Sequence, residues 1–314
     1  MKTLLFILHL FADAYKEWSH DRAARIGAAL AYYALFSLAP LLVIMITIAG
    51  AVYGEAAAEG QIVEAISDQI GPEAALGVQR LLADVHAAGS RLVSTVVSSI
   101  LLIIGATNFF SQLRDALNTM WNVRRKPGNH FWHGILDIAL DRLLATLMVL
   151  SLGIILLAAL AISTGLTVLN GWMRTLVIPN PSFLLEGGNL LTGFGLMTLL
   201  FALTFKLLPD VKISWQVVWV GALVTSALFN LGAFLIGLYL GYGQPQTILG
   251  AAGSLVVLMI WMAYTAQIIF FGAKFALVYG AAIGKPILPA ANAVAMKLAA
   301  ADDLLEDKSS NASL

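Results

Sequence analysis

The sequence predicts an all-α, polytopic membrane protein: a bundle of six transmembrane helices, preceded by an interfacial amphipathic helix and capped outside by short helices. Three observations carry this. Hydrophobic residues make up 60% of the 314 and charged residues only 11%, where soluble domains carry about 25% charged. The few charges cluster, so they bound long uncharged stretches. Lysine and arginine are also spread very unevenly among the segments between those stretches. The formal net charge is zero, so no basic field exists to hold a nucleic-acid backbone, and nucleic acid is not an expected partner. The chain has no cysteine, which excludes disulfides, thiolate metal ligands and a cysteine nucleophile.

The first twenty residues pair an apolar series (Leu4, Leu8, Phe11, Tyr15, Trp18) with a polar one (His9, Asp13, Lys16, His20), both at helical spacing. A signal peptide would also begin with Lys2 and an apolar run, but its translocation would carry Lys16, Arg22 and Arg25 outside, against the charge rule below. The pattern describes a helix lying in the membrane interface. Spans follow from missing charge, because an ionised group at the bilayer centre costs at least ~2.5 kcal/mol and a crossing needs about 20 apolar residues. Arg25 and Glu55 enclose 29 uncharged residues, Arg91 and Arg114 enclose 22, Arg142 and Arg174 enclose 31, and Glu186 and Lys206 enclose 19. Lys212 and Lys274 enclose 61, enough for two crossings, broken at Gly241-Tyr-Gly-Gln-Pro-Gln246. The runs are too long for barrel strands and rich in Leu, Ala and Ile.

These limits place an interfacial helix at 1–24 and a transmembrane domain at 25–285. Its spans fall near 28–53, 92–113, 143–167, 187–207, 214–240 and 250–274. Residues 55–91 are too charged for lipid, yet Ile62, Ile66, Ile70, Val78, Leu81, Leu82 and Val85 keep helical spacing around Gly71-Pro72, so this segment is expected as an external helical cap. Residues 286–314 form a cytoplasmic tail, partly disordered. With the N-terminus inside, the cytoplasmic segments hold fourteen Lys and Arg and the external ones three, with Lys274 at the edge of the last span. That asymmetry sets both termini in the cytoplasm. Gly50-x-x-x-Gly54, Gly237-x-x-x-Gly241 and Gly280-x-x-x-Gly284 suit close helix packing inside the bundle better than a dimer face.

Several residues are candidates for function. Asn108, Gln112, Asp115 and Asn118 form a polar stripe toward the cytoplasmic end of the second span. Either they line a substrate pathway or they hydrogen-bond between helices, and spacing leaves both open. Asn230 and Gln267 are polar at membrane depth. Lys274 is expected at the cytoplasmic boundary, its ammonium snorkelling to water. Pro40, after Ser37, removes a backbone hydrogen bond and makes the first span a candidate hinge. His130, His133, Asp137 and Asp141 fall on one helical face and are a weak metal candidate, read rather as the wet start of the third span. No phosphate loop or catalytic motif is present, so neither a cofactor nor an enzymatic role is expected.

Six blocks resemble the bacterial YihY/virulence factor BrkB family. They are Ala28-Ala-Leu-Ala-Tyr-Tyr-Ala-Leu-Phe-Ser-Leu-Ala-Pro40, Leu113-Arg-Asp-Ala-Leu-Asn-Thr-Met-Trp121, Leu208-Pro-Asp210, Trp215 to Gly221, Leu235-Ile-Gly-Leu-Tyr-Leu-Gly241 and Gly250-Ala-Ala-Gly-Ser-Leu-Val-Val-Leu258. The resemblance implies a six-helix inner-membrane protein. An older family label, ribonuclease BN, has no basic groove or catalytic cluster here to support it. Two positions depart from the family pattern. Gly232-Ala233 stands where relatives read Gly-Lys, and Phe271-Gly-Ala-Lys-Phe275 stands where they read Phe-Gly-Ala-Glu-Phe. A Lys–Glu pair therefore does not transfer to these positions, and Lys274 is expected to meet Asp115 or backbone carbonyls instead. The function expected is transport or lipid handling of an amphipathic or small polar substrate, with membrane lipids as partners. An envelope scaffold is the alternative, and a membrane-edge enzyme comes last.

Overall fold

A computed structural model describes residues 2–70, 75–80, 108–126, 154, 182–243 and 253–296. The chain is mostly helical. Helix α1 spans Lys2–His20, α2 Ala23–Tyr53 and α3 Glu55–Ile70. A helical stretch follows at 75–80, and α4 is described over 108–120. Strand β1 (Val123–Arg125) precedes α5 (Ser182–Leu207), β2 (Val211–Lys212), α6 (Trp215–Gly243) and α7 (Gly253–Ala282). Strands β3 (Leu288–Pro289) and β4 (Ala293–Ala295) complete the order.

Among the described residues, two helices are long and apolar enough to cross a membrane, over Trp215–Ile236 and Val256–Ala282. Their surfaces keep large apolar side chains exposed, with Phe234 at 67% and Leu231 at 54%. Such a face suits contact with hydrocarbon better than with water. Helix α7 is the hub, packing against α1, α2 and α6, while α6 also packs against α5. An aromatic column ties them together: Phe201 of α5 meets Phe229 of α6, which stacks on Trp261 of α7, which stacks on Tyr264.

Close approach of α6 and α7 rests on small residues. A Cβ on Gly221 would lie 2.8 Å from that of Ala276, and one on Gly272 would overlap the Thr225 hydroxyl. Neither belongs to the three Gly-x-x-x-Gly pairs. Of those, Gly280 packs inside the chain, against Val217 and the Lys285 carbonyl. Gly54 and Gly284 instead supply positive φ, 87° and 70°, where helices end. Gly232 leaves room for the Tyr264 ring, whose hydroxyl donates to the Leu228 carbonyl at 2.7 Å. Gly232→Ala puts a methyl into that ring and is expected to cost about 1–3 kcal/mol by overpacking. A lowered melting temperature in detergent checks this, and a melt unchanged from wild type refutes it.

Helix α7 runs to Ala282, two turns past the expected boundary at Lys274. The sequence from Phe275 on is apolar, so the charge interrupts a span without ending it. The tail expected from residue 286 begins as ordered chain. Strand β3 pairs antiparallel with β2, and β4 with β1, joining Val123 to Ala295 and Val211 to Pro289. Both two-stranded sheets sit where α4, α5 and α7 end and α6 begins. Helix α2 continues through Ser37 and Pro40, whose side chains lie outside the described set.

Candidate functional site

Two sites are built at the strand-bearing end. The first lies between α1 and α7. Gln267, Phe271 and Lys274 are spaced four and three, so they share one face of α7, and α1 covers it. Leu10 and Ala14 of α1 are buried against Phe275, and Phe11 packs its ring on Phe271 and Phe275. Lys274 is fully buried, paired with Asp21 and lying 3.9 Å from Glu17. The expected snorkelling, and the expected partners Asp115 or carbonyls, are thus corrected: α1 and the turn after it bring one carboxylate each over the ammonium and shut it from water. Asp21 reaches it from a two-residue turn in which Arg22 takes a left-handed φ of 52°. Gln267 bridges to α2, its Nε2 donating to the Ala24 carbonyl at 3.1 Å.

The second site is centred on Asp210. Leu208 still donates to the Thr204 carbonyl, and Pro209 then stops α5. The carboxylate of Asp210, 3% exposed, receives Arg114 Nε at 3.0 Å and Nη2 at 2.5 Å in a bidentate fork. It also receives Asn118 Nδ2 at 2.9 Å and Asn292 Nδ2 at 2.7 Å, with Arg125 Nε at 3.4 Å. Its backbone is held too: the N–H donates to Asn118 Oδ1 at 2.8 Å, and the carbonyl accepts from Ala290 N at 2.9 Å. Burial pushes the carboxyl pKa up, but the hydrogen bonds from Arg114, Asn118 and Asn292 and the charge of Arg114 outweigh it, leaving it below its ordinary 3.8. One anion thus ties α4, the α5–α6 turn and the C-terminal strap together.

The polar stripe of α4 is divided. Asn118 turns into the Asp210 cluster, while Asn108, Gln112 and Asp115 lie exposed on the helix. Helix α4 reaches α7 through Trp121, whose indole N–H donates to the Ala273 carbonyl at 2.8 Å. Asn230 donates to the Ser226 carbonyl one turn earlier in its own helix. His130, His133, Asp137 and Asp141 lie outside the described residues, and among the described residues no acidic or histidine cluster could hold a metal. Sequence reasoning missed Asp21, Asp210 and Asn292. A signal for Asp210 was present: one acid stands between Lys206 and Lys212 in a segment otherwise read as basic.

Two helices long and apolar enough to cross a membrane, packed against each other among the described residues, fit a helical membrane protein. The chain belongs to the virulence factor BrkB family, whose profile matches residues 14–294. It is 27% identical over 274 residues to a UPF0761 membrane protein of Mannheimia succiniciproducens, covering 86% of this chain and 89% of that one. It is 25% identical over 261 residues to a UPF0761 membrane protein of Actinobacillus pleuropneumoniae, covering 82% and 88%. Against a UPF0761 membrane protein of Pseudomonas paraeruginosa, 26% identical over 279 residues, it covers 85% of itself and 60% of that longer protein. No solved structure matches the chain.

Proposed function

We propose that this protein crosses the bacterial inner membrane six times, with both termini in the cytoplasm, and moves an amphipathic or small polar substrate. The observation that carries this reading is Lys274: an ammonium fully buried in a 30-residue apolar helix, paired with Asp21 of the turn after α1 and 3.9 Å from Glu17 of α1. Ionisable groups inside a membrane domain are costly to keep and mark substrate or ion routes. The three faces of α1 fit an interfacial helix. Leu10, Phe11, Ala14 and Trp18 pack inward, Leu5, Leu8 and Tyr15 are exposed, and Asp13, Lys16 and His20 form the polar side. In this reading Asp210 and its partners close the cytoplasmic end.

Reconstitution into vesicles tests it, with lipid scrambling and solute flux both followed. Flux is expected in the wild type and is expected to fall at least about ten-fold, on the order of one lost charge-assisted contact, in Lys274→Met. Flux indifferent to Lys274, Asn108 and Asn230 together would sink the pathway. The scaffold alternative draws less support, because Gly280, the motif glycine that packs closely among the described residues, is spent within one chain.

A further inference from the structure

The outer surface of α6 changes character along its length. Trp215 and Trp219 begin it, 50% and 42% exposed, with ring centres 6.4 Å apart. Leu223, Leu231 and Leu235 continue it, exposed as well. All five stand at multiples of four residues, so they form one winding apolar ridge along the span Trp215–Ile236. Tryptophans side by side at the start of a span mark the level where hydrocarbon gives way to headgroups.

Cations gather at that first turn. Lys206 Nζ lies 5.4 Å from the centre of the Trp215 ring and donates to the Ile213 carbonyl at 2.6 Å. Lys285 Nζ donates to Gln216 Oε1 at 2.6 Å. Lys212, exposed on β2, pairs in register with Leu288, three residues beyond Lys285. An ammonium carries three donors, so these single bonds leave Lys206 and Lys285 able to hold an anion as well. Segments 206–216 and 283–289 contain one acid, Asp210, and it is buried and held by Arg114, Asn118 and Asn292. Three lysines at the head of an exposed apolar ridge complement a molecule with a negative headgroup and hydrocarbon chains. We propose that an anionic phospholipid binds here, its phosphodiester among Lys206, Lys212 and Lys285 and its chains along Trp219 to Leu235. A second copy of the chain fits less well, because a two-fold contact on this ridge would set the two groups of lysines at the same level. The site is separate from Lys274 and stands whether or not a substrate is moved.

Native mass spectrometry of the full chain in detergent, with dioleoyl phosphatidylglycerol and phosphatidylethanolamine in equal amounts, tests the proposal. Phosphatidylglycerol keeps its net charge, whereas the ammonium of phosphatidylethanolamine cancels its own phosphate. The anionic lipid is therefore expected to bind at least about ten-fold more tightly. Lys212→Gln with Lys285→Gln should cut that preference at least about five-fold, while the charge-matched pair Lys16→Gln with Arg25→Gln, on α1 and α2, should leave it within about two-fold. All four side chains are exposed, so both double variants keep the fold. Leu223→Cys, in a chain otherwise free of cysteine, should stay monomeric under oxidation in vesicles. Equal binding of the two lipids, or the same loss in both pairs of variants, overturns the proposal. A disulfide-linked dimer overturns it too, by assigning the ridge to a second copy.

Discussion

Asp210→Ala is expected to destabilise the protein by about 3–5 kcal/mol, because it takes the bidentate carboxylate away from the buried Arg114 guanidinium. Arg114 is only 8% exposed, and Asn118 and Asn292 would lose their acceptor at the same time. Against a typical total of about 5–15 kcal/mol, this is a large fraction. Thermal melting in detergent reads it, and a shift under about 2 °C would show that the cluster holds nothing. Adding Arg114→Met should restore part of the loss, since the double variant removes the more deeply buried of the two guanidiniums together with its anion. The pH dependence has a definite sign. The folded carboxyl titrates below its ordinary 3.8, so its contribution is complete above the unfolded value and is lost as pH falls through the lower folded one. The difference between wild type and Asp210→Ala should therefore be constant from about pH 7 to 5 and shrink below about 4.

Asp21→Asn should release α1. Lys274 would keep only Glu17, which is half exposed and 3.9 Å away, and a fully buried ammonium without a close anion costs about 3 kcal/mol or more. The cysteine-free sequence offers a clean reporter. Ala14 is completely buried on the inward face of α1, against α7, so Ala14→Cys should react slowly with a maleimide in the wild-type background and at least about ten-fold faster beside Asp21→Asn, as a partial loss of that pair would allow. Pairing Asp21→Asn with Lys274→Met should return the slow rate, because an apolar replacement of both charges is often neutral or stabilising. Equal labelling rates in all backgrounds would mean that packing of Leu10 and Phe11 alone docks the helix.

The described helices α2, α5 and α6 were legible in the sequence because their signal is local, while the expected spans near 92–113 and 143–167 lie largely outside the described residues. An uncharged run bounded by Arg or Lys reads as a helix whatever packs beside it, and α2, α5 and α6 begin or end within a few residues of the expected limits. Lys274 was misjudged because the same logic treats charge as an edge. Its neutralising partners lie more than 250 residues earlier, at Glu17 and Asp21, and no spacing rule connects them. Asn118 was singled out but grouped with the wrong neighbours, since periodicity assigns a face and cannot say which face meets an anion. Asp210 stood inside a resemblance block, Leu208-Pro-Asp210, and Arg114 inside another. Only the fold shows that the two blocks form one ion pair.

The pairing of α1 with α7 also has a meaning in time. The ribosome makes Glu17 and Asp21 long before Lys274, so the two acids wait without that cation while the intervening helices are made. The same is true of Arg114 and Asp210, whose third tether, Asn292, emerges later still. The bundle therefore cannot be locked progressively. A chain stalled or cut before α7 would leave α1 undocked and the Asp210 cluster without Asn292, so both closures wait for the same late segment.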